Sequence, residues 1–236
     1  MPDMFGPIRI NGLELKNRFV RSATFENMAD DGKVTDELVG VYRELAEGDI
    51  GLIVAGGGYV RSDGYASRRQ TALDSDDCIP GLKRMVDVVH ECGGKISIQI
   101  HHIGGRVWPV YEGQPVAPST VRDERTGITP RALTSEEIED LVAAFVEGAR
   151  RVLEAGFDAV QLHAAHGYVL NQFLSPHTNR RSDVWGGSTE ARIRFVAQVL
   201  QGIRAIAGPD YPIFIKLGIE DYVENGLQLE EGVLIA

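Results

Sequence analysis

The sequence has 236 residues, 43% of them apolar and 25% charged, which is ordinary for one large globular domain. A net charge of −10 with no Lys/Arg run argues against nucleic acid and anionic membrane surfaces as partners. There is no run of about 18 apolar residues to span a membrane, and the opening MPDMFGPIRING lacks the basic and apolar regions of a signal peptide.

The segments alternate in type. RFVRSA (residues 18–23) is strand-like, and residues 35–47 carry Leu38, Val41, Tyr42 and Leu45 at helical spacing. IGLIVAG (50–56) is a short continuous apolar run, as expected of a strand buried on both faces. Residues 80–92 read as a helix through Leu82, Met85, Val86 and Val89, stopped by Gly93 and Gly94. KISIQI (95–100) is the next strand, and a long polar loop follows over 101–133. Thr134 and Glu137 form a capping-box pattern that opens a helix closed by Gly156. FDAVQLH (157–163), a helix over 190–207, PIFIKLG (212–218) and a helix beginning at Leu229 complete the chain.

Alternating strands and helices imply a parallel sheet with right-handed crossovers. The loops after strands are long and the turns after helices short. That asymmetry suits a (β/α)8 barrel, whose chemistry sits at the C-terminal ends of its strands. About five of the eight βα units are legible. A doubly wound sheet is the alternative, but RSATFENM after the first strand lacks its GxGxxG turn. Cys78 and Cys92, with no CxxC, read as reduced thiols, as expected in the cytoplasm.

Four strand ends carry unusual groups: Arg21 to Thr24, Gln99 with His101 and His102, His163 with His166 and Tyr168, and Lys216. In a parallel barrel these ends converge on one rim. Two imidazoles can donate to one oxygen and stabilise charge developing there, and a tyrosine beside them can deliver a proton. Lys216 can oppose negative charge on a cofactor, and Gln99 offers a donor and an acceptor to a heterocycle. Taken alone, HxxH also suits a metal pair or two satisfied loop histidines. No HExxH or nearby acidic or cysteine ligand spacing supports a metal. His101 reads as an exposed loop residue, and Gly56 to Gly58 as a turn or a place of close ligand approach.

The block FDAVQLHAAHGYVLNQFLSPHTNRRSDVWGGSTEARIRF closely resembles the signature of the Old Yellow Enzyme family of NAD(P)H:flavin oxidoreductases. LKNRFVRSAT, DGKVTDELVGVYRELAEGDIGLIV, GGKISIQIHHIGGR, PVAPS and YPIFIKLG resemble it in family order. The resemblance implies a (β/α)8 barrel, FMN as cofactor and NADH or NADPH as reductant. It makes residues 1–236 the N-terminal portion of a single FMN-binding barrel. Three further strands, including the FMN phosphate site, would lie outside it.

It also implies roles. Ser22, Ala23 and Thr24 lie along the flavin, Gly56 approaches it, and Gln99 and Lys216 face its polar edge. His163 and His166 bind a substrate carbonyl, and Tyr168 is the proton donor. The implied substrate is a small α,β-unsaturated carbonyl compound, and a homo-oligomer is compatible. A truncated, inactive binding protein is the competing expectation. Departures from the family pattern are Gly105 where an Arg is usual, with Arg106 one later, and Trp185, Ala191 and Gly218.

Overall fold

The computed structural model describes residues 3–107 and 111–236. Its centre is a five-stranded parallel sheet: β3 (Val20–Arg21), β4 (Leu52–Tyr59), β5 (Ile96–His101), β8 (Ala159–Ala164) and β9 (Ile213–Leu217), in that order. Successive strands are neighbours, and the sheet curls as part of a (β/α)8 barrel. The helices between them are α1 (Asp36–Glu47), α2 (Ile79–Glu91), α3 (Ser135–Glu154) and α5 (Thr189–Ala207). A short α4 (Val169–Leu174) follows β8, and α6 (Leu229–Ile235) is last. Thr134 caps α3 as its sequence predicts: its hydroxyl accepts from Glu137 N at 3.2 Å, and the Glu137 carboxylate accepts from Thr134 N at 2.8 Å.

Strand alternation sorts the side chains. Ile53, Ile96, Ile98, Ile100, Val160 and Leu162 face outward and pack beneath Leu82, Met85, Phe145 and Phe195 of the helices. Each such side chain contributes about 1.5–3 kcal/mol by leaving water. On the concave face, Leu52, Val54 and Ala159 form a second cluster with Leu13 and Leu15. These two leucines belong to a hairpin that the sequence reading passed over, β1 (Ile8–Ile10) paired with β2 (Leu13–Leu15). The hairpin plugs the N-terminal end of the barrel, and Gly12 N donates to Asp210 O at 2.9 Å. The polar positions of the concave face lie above this plug.

The region expected to be a plain loop after β5 contains a small parallel pair, β6 (Val116–Ala117) with β7 (Arg131–Ala132). Strand β5 also runs through His101 rather than ending before it. Among the described residues, no helix is long and apolar enough to cross a membrane.

Candidate active site

Three strands, β5, β8 and β9, supply the polar centre of the concave face. Gln99 of β5 lies opposite Gln161 of β8, which lies opposite Phe214 of β9. One rung higher, His163 lies opposite Lys216. Gln99 donates through Nε2 to Gln161 Oε1 at 2.6 Å, and its own carbonyl has no partner among the described residues. Lys216 is half-buried and likewise has neither hydrogen bond nor ion pair among them.

His163 is 4% exposed at the end of β8, and His166 stands exposed in the turn beyond it. His163 Nε2 and His166 Nδ1 face each other at 3.2 Å, with the rings edge to face. Burial, then the charges of His166 and Lys216, push His163 down to about 3. Burial, Lys216 and Arg106 lower His166 as well. Both imidazoles are therefore neutral at neutral pH. An oxygen about 2.9 Å from each facing nitrogen forms an almost equilateral triangle on the 3.2 Å base. The pair is thus spaced to give up its mutual contact for one shared acceptor.

The turn that carries His166 is held in an unusual conformation. His166 has φ 59° and Gly167 φ 73°, both in the left-handed region. Two buried amides of α4 clamp it. Gly167 N donates to Asn171 Oδ1 at 2.8 Å, and Gln172 Nε2 donates to Gly167 O at 2.6 Å. Tyr168 opens α4, its ring 4.9 Å from that of His163 and 5.3 Å from that of His101.

His101 is not the exposed loop residue expected from its position after the strand. It is 2% exposed, because the strand continues and alternation turns it inward with Ser97 and Gln99. Gln70 fixes its tautomer: Gln70 Oε1 accepts from Ala66 N at 2.9 Å, so Gln70 Nε2 donates to Gly57 O at 2.7 Å and to His101 Nε2 at 2.9 Å. Burial holds His101 neutral, with its pKa far below the ordinary value, so the proton sits on Nδ1.

The remaining predicted residues ring this centre. Ser22 and Thr24 are exposed after β3, and Ala23 packs against the plug cluster. Gly56 N donates to the Tyr42 hydroxyl at 3.2 Å. The space a Gly56 side chain would fill is taken by the Glu26 carboxylate and Thr24 O. Glu26 in turn accepts from Tyr42 at 3.0 Å and pairs with Arg21 at 2.7 Å. No three metal-ligating side chains gather among the described residues.

Sequence reading missed Gln161, Asn171 and Gln172 and misplaced His101 in an exposed loop. Period two along VQLH and QIH would have placed Gln161 and His101. The amides of α4 had no comparable signal. The donor set fits FMN: a free glutamine carbonyl and an unpaired ammonium share one concave face, as a heterocycle edge and its negative charge require.

The family model of the NADH:flavin oxidoreductase / NADH oxidase family matches residues 3–235. NADH oxidase of Thermoanaerobacter brockii is 41% identical, over 100% of this chain and 37% of its own length. A 2-naphthoyl-CoA reductase complexed with 2-naphthoyl-CoA superposes with TM-score 0.94 at 33% identity, over 98% of this chain and 38% of that one. Morphinone reductase in complex with tetrahydroNAD superposes with TM-score 0.88 at 30% identity, over 100% of this chain and 69% of that one. The chain thus spans little more than a third of the first two proteins. By the match over almost its whole length, it belongs to the NADH:flavin oxidoreductase / NADH oxidase family, whose cofactor is FMN and whose reductant is NADH or NADPH.

Proposed function

We propose that residues 1–236 are the N-terminal portion of a single FMN-binding barrel that reduces the activated C=C bond of α,β-unsaturated carbonyl compounds. The observation that carries this reading is the pair of neutral imidazoles converging at 3.2 Å beside Tyr168. Ser22, Ala23, Thr24, Gly56, Gln99 and Lys216 are the residues that hold FMN. When bound, FMN supplies the two-electron chemistry, taking electrons from NAD(P)H and passing them to carbon.

The chain's own groups do the rest. His163 and His166 donate to the carbonyl oxygen, and because both are neutral N–H donors they need not lose a proton to do so. Negative charge gathers on that oxygen as the β-carbon is reduced, so the two bonds strengthen towards the transition state. Tyr168 holds a proton for the α-carbon. Lys216 would face the polar edge of FMN, where its ammonium could oppose negative charge. The free thiols Cys78 and Cys92 fit a reducing cytoplasmic setting.

The test is a two-step assay on the full-length protein that contains residues 1–236, purified and loaded with FMN. Flavin absorbance should bleach with NAD(P)H under argon and return on adding cyclohexenone, with cyclohexanone formed. Bleaching without recovery by any enone would remove the enone assignment. A protein that takes up no flavin would remove the whole reading.

A further inference from the structure

Arg106 is half-buried in the turn after β5. Its side chain lies against Gly167: a Cβ on that glycine would come within 2.7 Å of Arg106 Nη1. The absence of a side chain at Gly167 is what lets the guanidinium reach the His166 turn. Among the described residues Arg106 has no hydrogen bond or ion pair from its side chain. The other sheltered arginines differ. Arg21 and Arg192 hold Glu26 and Glu231, Arg151 holds Asp76, and Arg181 holds Asp183. In a chain of net charge −10, a sheltered guanidinium left without a partner is an exception with an energetic cost.

Its position says what it faces. Arg106 is the common wall of two cavities. One, of about 460 Å³, also holds His166, Asn171, Lys216 and Leu217. The other, of about 290 Å³, is lined by Ser119, Arg122, His177 and Thr178. Arg106 lies against Gly167, the residue that follows His166, and its charge helps to lower His166. It therefore stands on the outer side of the carbonyl-binding pair, where a substituent of the substrate would extend. Acidic groups that share the cavities are engaged elsewhere. Asp221 accepts from Leu227 N at 2.7 Å, and Asp123 accepts from Arg125 N at 2.8 Å and also pairs with the Arg125 guanidinium. Glu220, which lines the larger cavity, and Glu124, which lines the smaller, are the exceptions.

We propose that Arg106 is an anion-binding subsite beside His166, and that the preferred substrates are enones carrying a carboxylate. This rests on the enone reading above and extends it. A planar guanidinium can take a carboxylate through two parallel N–H donors, and a partly desolvated site strengthens that bond. The enone carbonyl on the histidine pair and the carboxylate on Arg106 would fix the substrate at two points, which sets its orientation as well as its affinity.

The test compares a cyclohexenone bearing a carboxymethyl chain with its methyl ester. The FMN-loaded enzyme should prefer the acid in kcat/KM. Arg106→Gln should lower the acid-to-ester ratio about tenfold, the size expected for a charged hydrogen bond. Arg106→Lys should recover part of it, and the preference should shrink with added salt. An unchanged ratio in Arg106→Gln overturns the proposal. So does a loss confined to NADPH relative to NADH, which would assign the guanidinium to the nucleotide. Calorimetric titration with 3-hydroxyphenylacetate and its methyl ester separates this from failure of the enone reading, since it needs no turnover. Tighter binding of the acid, lost in Arg106→Gln, upholds the subsite even if no enone is reduced. Equal affinities, or binding of neither, overturn it.

Discussion

At the scale of single residues, burial governs the chemistry. His163 is pushed down to about 3, whereas an unfolded histidine titrates near 6.5. Between those two values the unfolded chain binds a proton that the folded chain refuses. Stability therefore falls as pH falls through that window, by up to about 1.4 kcal/mol per pH unit. His101, lowered by burial first, acts in the same direction. The melting temperature should drop between about pH 6.5 and about pH 4.5, and His163→Gln should flatten that slope. A slope equal to that of the parent would mean that His163 is not held neutral. Tyr168 is tested differently. Tyr168→Phe keeps the ring between His101 and His163 and removes only the proton. Enone reduction should slow by about 10²–10⁴-fold, while bleaching of the flavin by NAD(P)H persists. Unchanged enone turnover would make solvent or another group the acid.

At the scale of elements, β4 shows how backbone and site are coupled. Its three glycines, Gly56 to Gly58, are not a turn; they lie within the strand. A Cβ on Gly58 would meet Leu73 Cδ1 at 2.5 Å, and one on Gly57 would meet His101 Cε1 at 2.6 Å. Gly57→Ala must therefore displace the His101 ring, which Gln70 and the rings of His163 and Tyr168 otherwise enclose. A cost of about 1–3 kcal/mol is expected from overpacking, with enone reduction impaired beyond flavin reduction. A variant as stable and active as the parent would show that the ring has room to yield. Which elements the sequence disclosed follows from similar reasoning. The central strands are continuous apolar runs or simple alternations, and α3 begins at a capping box, so local pattern was sufficient. The hairpin β1–β2 was passed over, although Asn11-Gly12 between alternating apolar residues is a turn signal. The pair β6–β7 was not legible, because two residues each give no period and no turn signal joins them across the long loop. His101 was misplaced because a polar residue following an apolar run looks like a loop, although period two puts it on the face of Gln99. The position of Arg106 depends on a turn conformation that no spacing encodes.

At the scale of the molecule, the sheet is open. Strands β3 and β9 are its two ends, each paired on one side only. Val20 of β3 is 51% exposed and Ile215 of β9 is 45% exposed, and Val233 and Leu234 of α6 lie bare at 61% and 82%. In a closed barrel every strand has two neighbours, and the outward face of each is covered by helices. Unpaired edges offer rows of free N–H and C=O groups to another chain, and contiguous apolar surface adds a driving force for association. No Pro or bulge interrupts β9, and Lys216 is its one charged residue. The 236 residues expressed alone should therefore self-associate through β9 and α6, with a sedimentation coefficient that rises with concentration. Replacing Ile215 and Leu234 with lysine should shift the population towards monomer, since edge charges oppose strand addition. Those exchanges leave the concave face untouched, because Ile215 lies on the outward face of β9 and Lys216 on the inward one. A monodisperse monomer with a cooperative melt at all concentrations, in the unmodified chain, would show that the open edges are covered from within and that this account of the sheet is wrong.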